Sequence, residues 1–82
     1  MNIIINYKQC KAARALLDWN QDILCEKVGV AKSTIGDFER GVRNLRIETM
    51  QKVVGVFEDE GIRFESEKGR ILVELASSIS AN

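Results

Sequence analysis

The residues best suited to chemistry lie close together. Lys32, Ser33, Thr34 and Asp37 fall in one short stretch, with Gln21 ahead of them and Arg40, Arg43 and Asn44 just behind. A lysine can bond guanine N7 and O6, a serine can bond either kind of base, and an aspartate can accept from a cytosine amino group. At helical spacing Ile35 and Phe38 turn inward, which leaves Lys32, Ser33, Thr34, Gly36 and Asp37 on the outward side. Such a small, polar face suits the major groove of DNA, because short side chains let the helix axis come close while polar ones reach base edges. Gln21 opens an earlier helix, and the free backbone amides there, with the Gln21 side chain, form a donor cluster suited to a phosphate. Structural roles compete at three positions. Asp37 can pair within its helix to Lys32 or Arg40, Glu39 can be purely structural, and Arg40 can bond back to the first helix instead of touching phosphate.

No rival chemistry stands out. The chain has no histidine, no glycine-rich phosphate loop, no Cys-x-x-Cys and no carboxylate pair forced together in an apolar surround. No catalytic residue, metal site or cofactor is therefore expected. The Glu58-Asp59-Glu60 run reads as a solvated helix end.

Two short helices at a sharp corner would position the polar face. Asn20 is a good N-cap for the first, in which Ile23, Leu24 and Val28 make an apolar stripe beside the stem of Lys27. Gly29 can take the left-handed backbone that ends it, with Val30 packing back on the finished helix. The second starts at Ala31 or Lys32 and runs until Gly41 ends it.

Around this corner the rest of the chain reads as support. Residues 3–5 are a strand or a packed arm, and Asn6 with Gln9 makes a capping box for a helix over residues 7–17. That helix places Cys10, Ala13, Leu16 and Leu17 on its core side and Lys8, Lys11 and Arg14 on one opposite stripe. Trp19 plugs the junction between helices. A loop over residues 42–46 leads to a longer helix from Ile47 to about Glu60, whose apolar face is Met50, Val53, Val54 and Phe57. After Gly61 the period changes to alternation: Ile62 and Phe64, a turn at residues 67–69, then the β-branched run from Arg70 to Leu75, which reads as a hairpin. A short helix over residues 71–76 is the competing reading, and residues 77–82 read as a frayed tail. Since an isolated hairpin is marginal in water, residues 3–5 are a candidate partner strand, within the chain or across a dimer.

Eighty-two residues, 45% hydrophobic and 29% charged with no proline, predict one mainly α-helical domain over residues 1–82, with a core at 7–60 and a hairpin or dimerisation element at 61–76. So short a chain buries proportionally little surface, and a shared dimer core would help it. The formal net charge is zero, but its distribution is uneven. From residue 8 to 46, eight Lys and Arg face five Asp and Glu, a surplus of three positive charges; from residue 47 onward, four face seven, a surplus of three negative. Such asymmetry hints at nucleic acid on one side. Cys10 and Cys25 read as buried thiols in a reducing compartment. No run is apolar enough for a membrane span, and the N-terminal residues lack the features of an export signal, so the expected location is cytoplasmic.

Gln21, Leu24, Gly29, Val30, Ser33, Thr34, Ile35, the Phe38-Glu39-Arg40-Gly41 run and Arg43-Asn44 together resemble the helix-turn-helix family of Cro and the phage repressors, the XRE family, over roughly residues 9–64. Cys25, Gly36, Asp37 and Leu45 depart from the family pattern and bear on sequence preference, not on fold. The resemblance implies a lambda-repressor-like domain of four to five helices with a C-terminal β-hairpin. It implies that Lys32, Ser33 and Asp37 touch base edges, that Thr34 lies nearer the backbone, and that Gln21, Arg43 and Asn44 hold phosphates. The implied activity is transcriptional regulation, as a repressor, by a homodimer on double-stranded DNA. The alternative is a protein-interaction module, such as an antitoxin or anti-activator, in which the acidic C-terminal part grips a protein partner.

Overall fold

Asn6 and Gln9 start the first helix by reciprocal capping. The Gln9 amide donates to Asn6 Oδ1 at 2.8 Å, and the Asn6 amide donates to Gln9 Oε1 at 2.9 Å. The computed structural model describes residues 3–67 and 70–76. Helices α1 (Tyr7–Leu16), α2 (Gln21–Val28), α3 (Lys32–Glu39) and α4 (Ile47–Asp59) come first, followed by the antiparallel strands β1 (Ile62–Glu67) and β2 (Arg70–Leu75). The fold is mainly helical, with four helices and a C-terminal hairpin. The tail at residues 77–82 and the centre of the hairpin turn at residues 68–69 lie outside the described residues.

Two helix ends use the same device. After α1, the Asp18 amide donates to Ala15 O and the Trp19 amide to Arg14 O; after α3, the Gly41 amide donates to Phe38 O and the Val42 amide to Asp37 O. Each is a Schellman closure that needs one left-handed residue. Gly41 supplies it at φ 77° without strain, whereas Asp18 supplies it at φ 58° against the crowding of its own Cβ. The turn after α1 throws Trp19 back over the core, where its ring stacks on Phe57 with centroids 5.9 Å apart. Phe57 in turn meets Phe64 of β1 edge-on at 5.9 Å. Trp19 thus fills the helix junction as its size suggests, and Phe57 is the centre of a three-ring column.

The α4 face of Met50, Val53, Val54 and Phe57 is buried as its spacing predicts. On α1 the periodicity was a poorer guide. Leu16 is 42% exposed, while Gln9, seven residues earlier on the same line of the helix, is buried and reaches across to the Glu65 carbonyl at 3.4 Å. The core line of α1 runs through Cys10, Ala13 and Leu17, with Leu16 beyond its edge. Arg14 does not share an outer stripe with Lys8 and Lys11: one turn from Cys10, it points toward α3.

The hairpin pairs Ile62 with Leu75 and Phe64 with Val73, so the helical alternative for residues 71–76 is not the one adopted. Ile62 and Phe64 are buried and Val73 packs against the core, while Arg63 and Glu74 pair across the other face at 2.8 Å. Burial of one face selects this register. The sheet has two strands among the described residues, and residues 3–5 form the packed arm instead of a third, with Ile5 buried and Ile4 exposed. No helix among the described residues is long and apolar enough to cross a membrane.

Asp18→Gly should raise stability by about 0.5–1 kcal/mol, because glycine meets no Cβ crowding in the left-handed region. Urea unfolding should show a higher midpoint at unchanged slope; a lower midpoint would mean that the Asp18 side chain contributes more than its backbone costs.

Candidate nucleic-acid interface

The corner between α2 and α3 is built from local signals. Asn20 Oδ1 accepts from the Ile23 amide at 2.9 Å and starts α2. Gly29, at φ 86°, ends it, and the Cys25 carbonyl accepts from both the Gly29 amide (2.7 Å) and the Val30 amide (3.1 Å). Leu24, Cys25 and Val28 face the core, so Cys25 joins the stripe on which Ile23 is only half-buried. Ile35 and Phe38 anchor α3 from below.

What fixes the corner against α1 is a buried carboxylate. Glu39, at the end of α3, is 2% exposed. Arg14 of α1 grips it with two bonds, Nε to Oε2 at 2.8 Å and Nη2 to Oε1 at 2.6 Å. Gln21 of α2 donates Nε2 to Oε1 at 3.0 Å, and the Cys10 thiol donates to Oε2 at 3.1 Å. Arg14 also donates Nη1 to the Trp19 carbonyl at 2.9 Å, which ties in the turn between α1 and α2. Burial pushes the Glu39 carboxyl up, but the donors from Arg14, Gln21 and Cys10 outweigh it and hold the group below its ordinary 4.5. The Glu39 bond in turn raises Arg14 further. Burial first, then the Glu39 contact, pushes the Cys10 thiol up, and burial with the nearby Asp22 charge pushes up Cys25, so both thiols stay protonated at neutral pH.

The expected site residues divide in two. Lys32, Ser33, Thr34, Asp37 and Arg40 all lie on α3, with Lys32, Ser33 and Arg40 exposed and Thr34 and Asp37 half-buried. Thr34, Arg43 and Asn44 line one concavity of about 330 Å³ together with Arg46, so the loop over residues 42–46 comes up beside α3. Gln21 does not line that concavity, and its side-chain amide is turned to Glu39. Gly36, expected on the outward side, is buried: Gln21 Oε1 and Arg40 Nη1 lie over it, 3.7 and 3.6 Å from where a Cβ would stand. With no side chain of its own, Gly36 is roofed by its neighbours.

Lys32, Asp37, Arg40 and Arg43 each have a charged partner. Lys32 Nζ is 3.2 Å from Asp22 Oδ1, in a pair exposed enough to contribute little stability. Asp37 takes Arg40 on Oδ1 and Arg43, at 3.5 Å, on Oδ2. The intrahelical contact weighed for Asp37 therefore forms with Arg40. The structural role weighed for Glu39 also forms, through Arg14, whereas Arg40 pairs with Asp37 of its own helix instead of bonding back to the first. Arg14 and Cys10 are the partners of Glu39 that residue patterns missed. The only signal was their spacing of four on α1, which puts both toward the same neighbour.

The sequence profile of a helix-turn-helix family matches residues 11–58, more than half of the chain and all of α2, α3 and the corner between them. No curated protein sequence matches the chain.

Removing one partner of a buried ion pair costs roughly 3–5 kcal/mol. Arg14 keeps 17% of its side chain in water, so Glu39→Gln should cost near the lower end, about 3 kcal/mol at pH 7. Because the folded pKa of Glu39 lies below its unfolded value, the unfolded chain takes up the proton first. The stabilisation is complete above about pH 4.5 and is lost as pH falls through the depressed value. Urea unfolding between pH 7 and pH 3 should show an acid loss in the native protein that Glu39→Gln lacks in part; superimposable pH profiles would refute the assignment.

Proposed function

The chain belongs to the helix-turn-helix family of the XRE/Cro type, a family of DNA-binding domains and not of enzymes, and on that premise we propose that it is a sequence-specific transcription regulator. It acts as a repressor, and a homodimer places α3 of each protomer in the major groove of one half-site, about one helical turn from the other. The observation that carries this reading is the exposed N-terminal half of α3, Lys32 and Ser33, set on a corner that Glu39 locks to α1 and α2. Lys32 and Ser33 read base edges, with Thr34 nearer the backbone; Asp37 shares their face, and Arg40 lies beside it. Gln21, Arg43 and Asn44 hold phosphates. Gln21 has a second amide hydrogen left after its bond to Glu39, and Arg43 and Asn44 are exposed. Residues 1–82 act as one domain, with the hairpin of residues 61–76 as the dimerisation element.

The second reading is a protein-interaction module gripping a partner through the acidic C-terminal part. It rests on the zero net charge and on Asp37. The arginines on Asp37 weaken the latter support, since that carboxylate is not a bare negative charge toward DNA.

DNA binding measured against salt separates the two. Four or five phosphates neutralised per dimer predict a log–log slope of about −4. Arg43→Ala should weaken binding to all sequences alike and reduce the slope by about one per protomer, whereas Lys32→Ala or Ser33→Ala should change which base is preferred. Equal base preferences in all three variants would contradict this division of roles. Binding to no duplex selected from a random pool would leave the protein-partner reading.

A further inference from the structure

Asp37 sits where an acidic side chain has little to recommend it for stability. It lies in the last turn of α3, where the helix dipole disfavours negative charge, and on the same outward side as Ser33. Its two ion pairs are partly solvated, and pairs of that kind contribute little to folding. Yet the two arginines that meet it come from different elements. Arg40 caps α3, and its guanidinium lies back along the helix, with Nη2 on Asp37 Oδ1 and Nη1 over Gly36. Arg43 belongs to the following loop and reaches Asp37 Oδ2 from there. One carboxylate therefore holds two cations of the DNA-facing surface, in the manner that a phosphate would.

We propose that Asp37 is a specificity-determining residue that works as an internal phosphate mimic: it holds Arg40 and Arg43 and so suppresses binding to DNA of arbitrary sequence. This rests on the DNA-binding reading above and adds a role for the acid within it. A duplex must displace Asp37 from each arginine before a phosphate can take its place, so part of the Coulomb gain of an unselective encounter is cancelled. A matched site makes up the loss through base-edge contacts that a random duplex does not offer, and it can also give Asp37 a cytosine amino group as a new donor. The net effect falls most heavily on non-specific binding, which is almost wholly electrostatic.

The test uses the full chain and two probes: a duplex of scrambled sequence, and the tightest duplex selected from a random pool by the native protein. Asp37→Asn, which keeps the shape and removes the charge, should bind the scrambled duplex about fivefold more tightly and steepen its salt slope by about one per protomer. Affinity for the selected duplex should change less, so the ratio between the two falls. Thermal unfolding of Asp37→Asn should show a native-like transition, and a role in folding alone would leave the salt slope unmoved. The same substitution in an Arg40→Gln, Arg43→Gln background should gain less than about twofold, because no arginine remains to release. An equal gain in that background would overturn the proposal in favour of simple repulsion between Asp37 and phosphate. So would an Asp37→Asn protein with unchanged affinity and slope on the scrambled duplex. If the native protein selects no duplex at all, the DNA-binding reading itself fails and takes this inference with it.

Discussion

Glu39 carries a negative charge almost out of water, and the arrangement of the first three helices keeps that charge from being unpaired. Four donors converge on its two oxygens, from Arg14 and Cys10 on α1 and Gln21 on α2. Any sliding of α3 relative to the other two would strip donors from a buried carboxylate, which costs far more than an apolar surface loses by slipping. An apolar contact alone would tolerate small changes in angle. The carboxylate does not, because hydrogen bonds weaken steeply with misalignment, and this makes the corner between α2 and α3 a rigid part.

The hydrophobic side of the molecule complements that polar node. Phe57 of α4 lies between Trp19, from the turn after α1, and Phe64 of β1, so one aromatic column joins the N-terminal turn, the last helix and the hairpin. Arg14 links the two systems, since the guanidinium that grips Glu39 also binds the Trp19 carbonyl. Lys27 adds its ammonium 5.3 Å from the centre of the Trp19 ring, covering the outer face of the column with a charge that stays in water. The hairpin, too small to stand alone, is held by this column and by the Gln9 bond to Glu65.

Charges on α3 and the loop after it are paired locally. Lys32 faces Asp22, and Arg40 and Arg43 face Asp37. Each of these cations already has an internal partner, with which any incoming anion would have to compete. The surplus of positive charge over residues 8–46 is the sum of such pairs and of a few bases outside them, such as Lys8 and Lys11, whose ammonium groups lie 6.0 and 5.8 Å from the Tyr7 ring.

Caps, stops and the buried face of α4 were legible because each is decided within a turn or two of chain: Asn6 with Gln9, Asn20, Gly29, Gly41, and the spacing of Met50 to Phe57. The family pattern across the corner was legible for the same reason, since its residues are close in sequence. Contacts between distant residues were not. Residue type allowed Arg40 to bond back to the first helix and Arg14 to lie on an outer stripe, but only packing turned Arg40 to Asp37 and set Arg14 2.6 Å from a carboxylate 25 residues away. Leu16 and Gly36 show the limit from the other side. Exposure depends on what lies across from a side chain, so the neighbours brought in by the tertiary fold left Leu16 open and covered Gly36. The sequence by itself determined the elements and their order, because those follow from local geometry. The tertiary structure alone decided the Glu39 node and the pairing of Asp37, because identical charges become distinct only once distances are fixed.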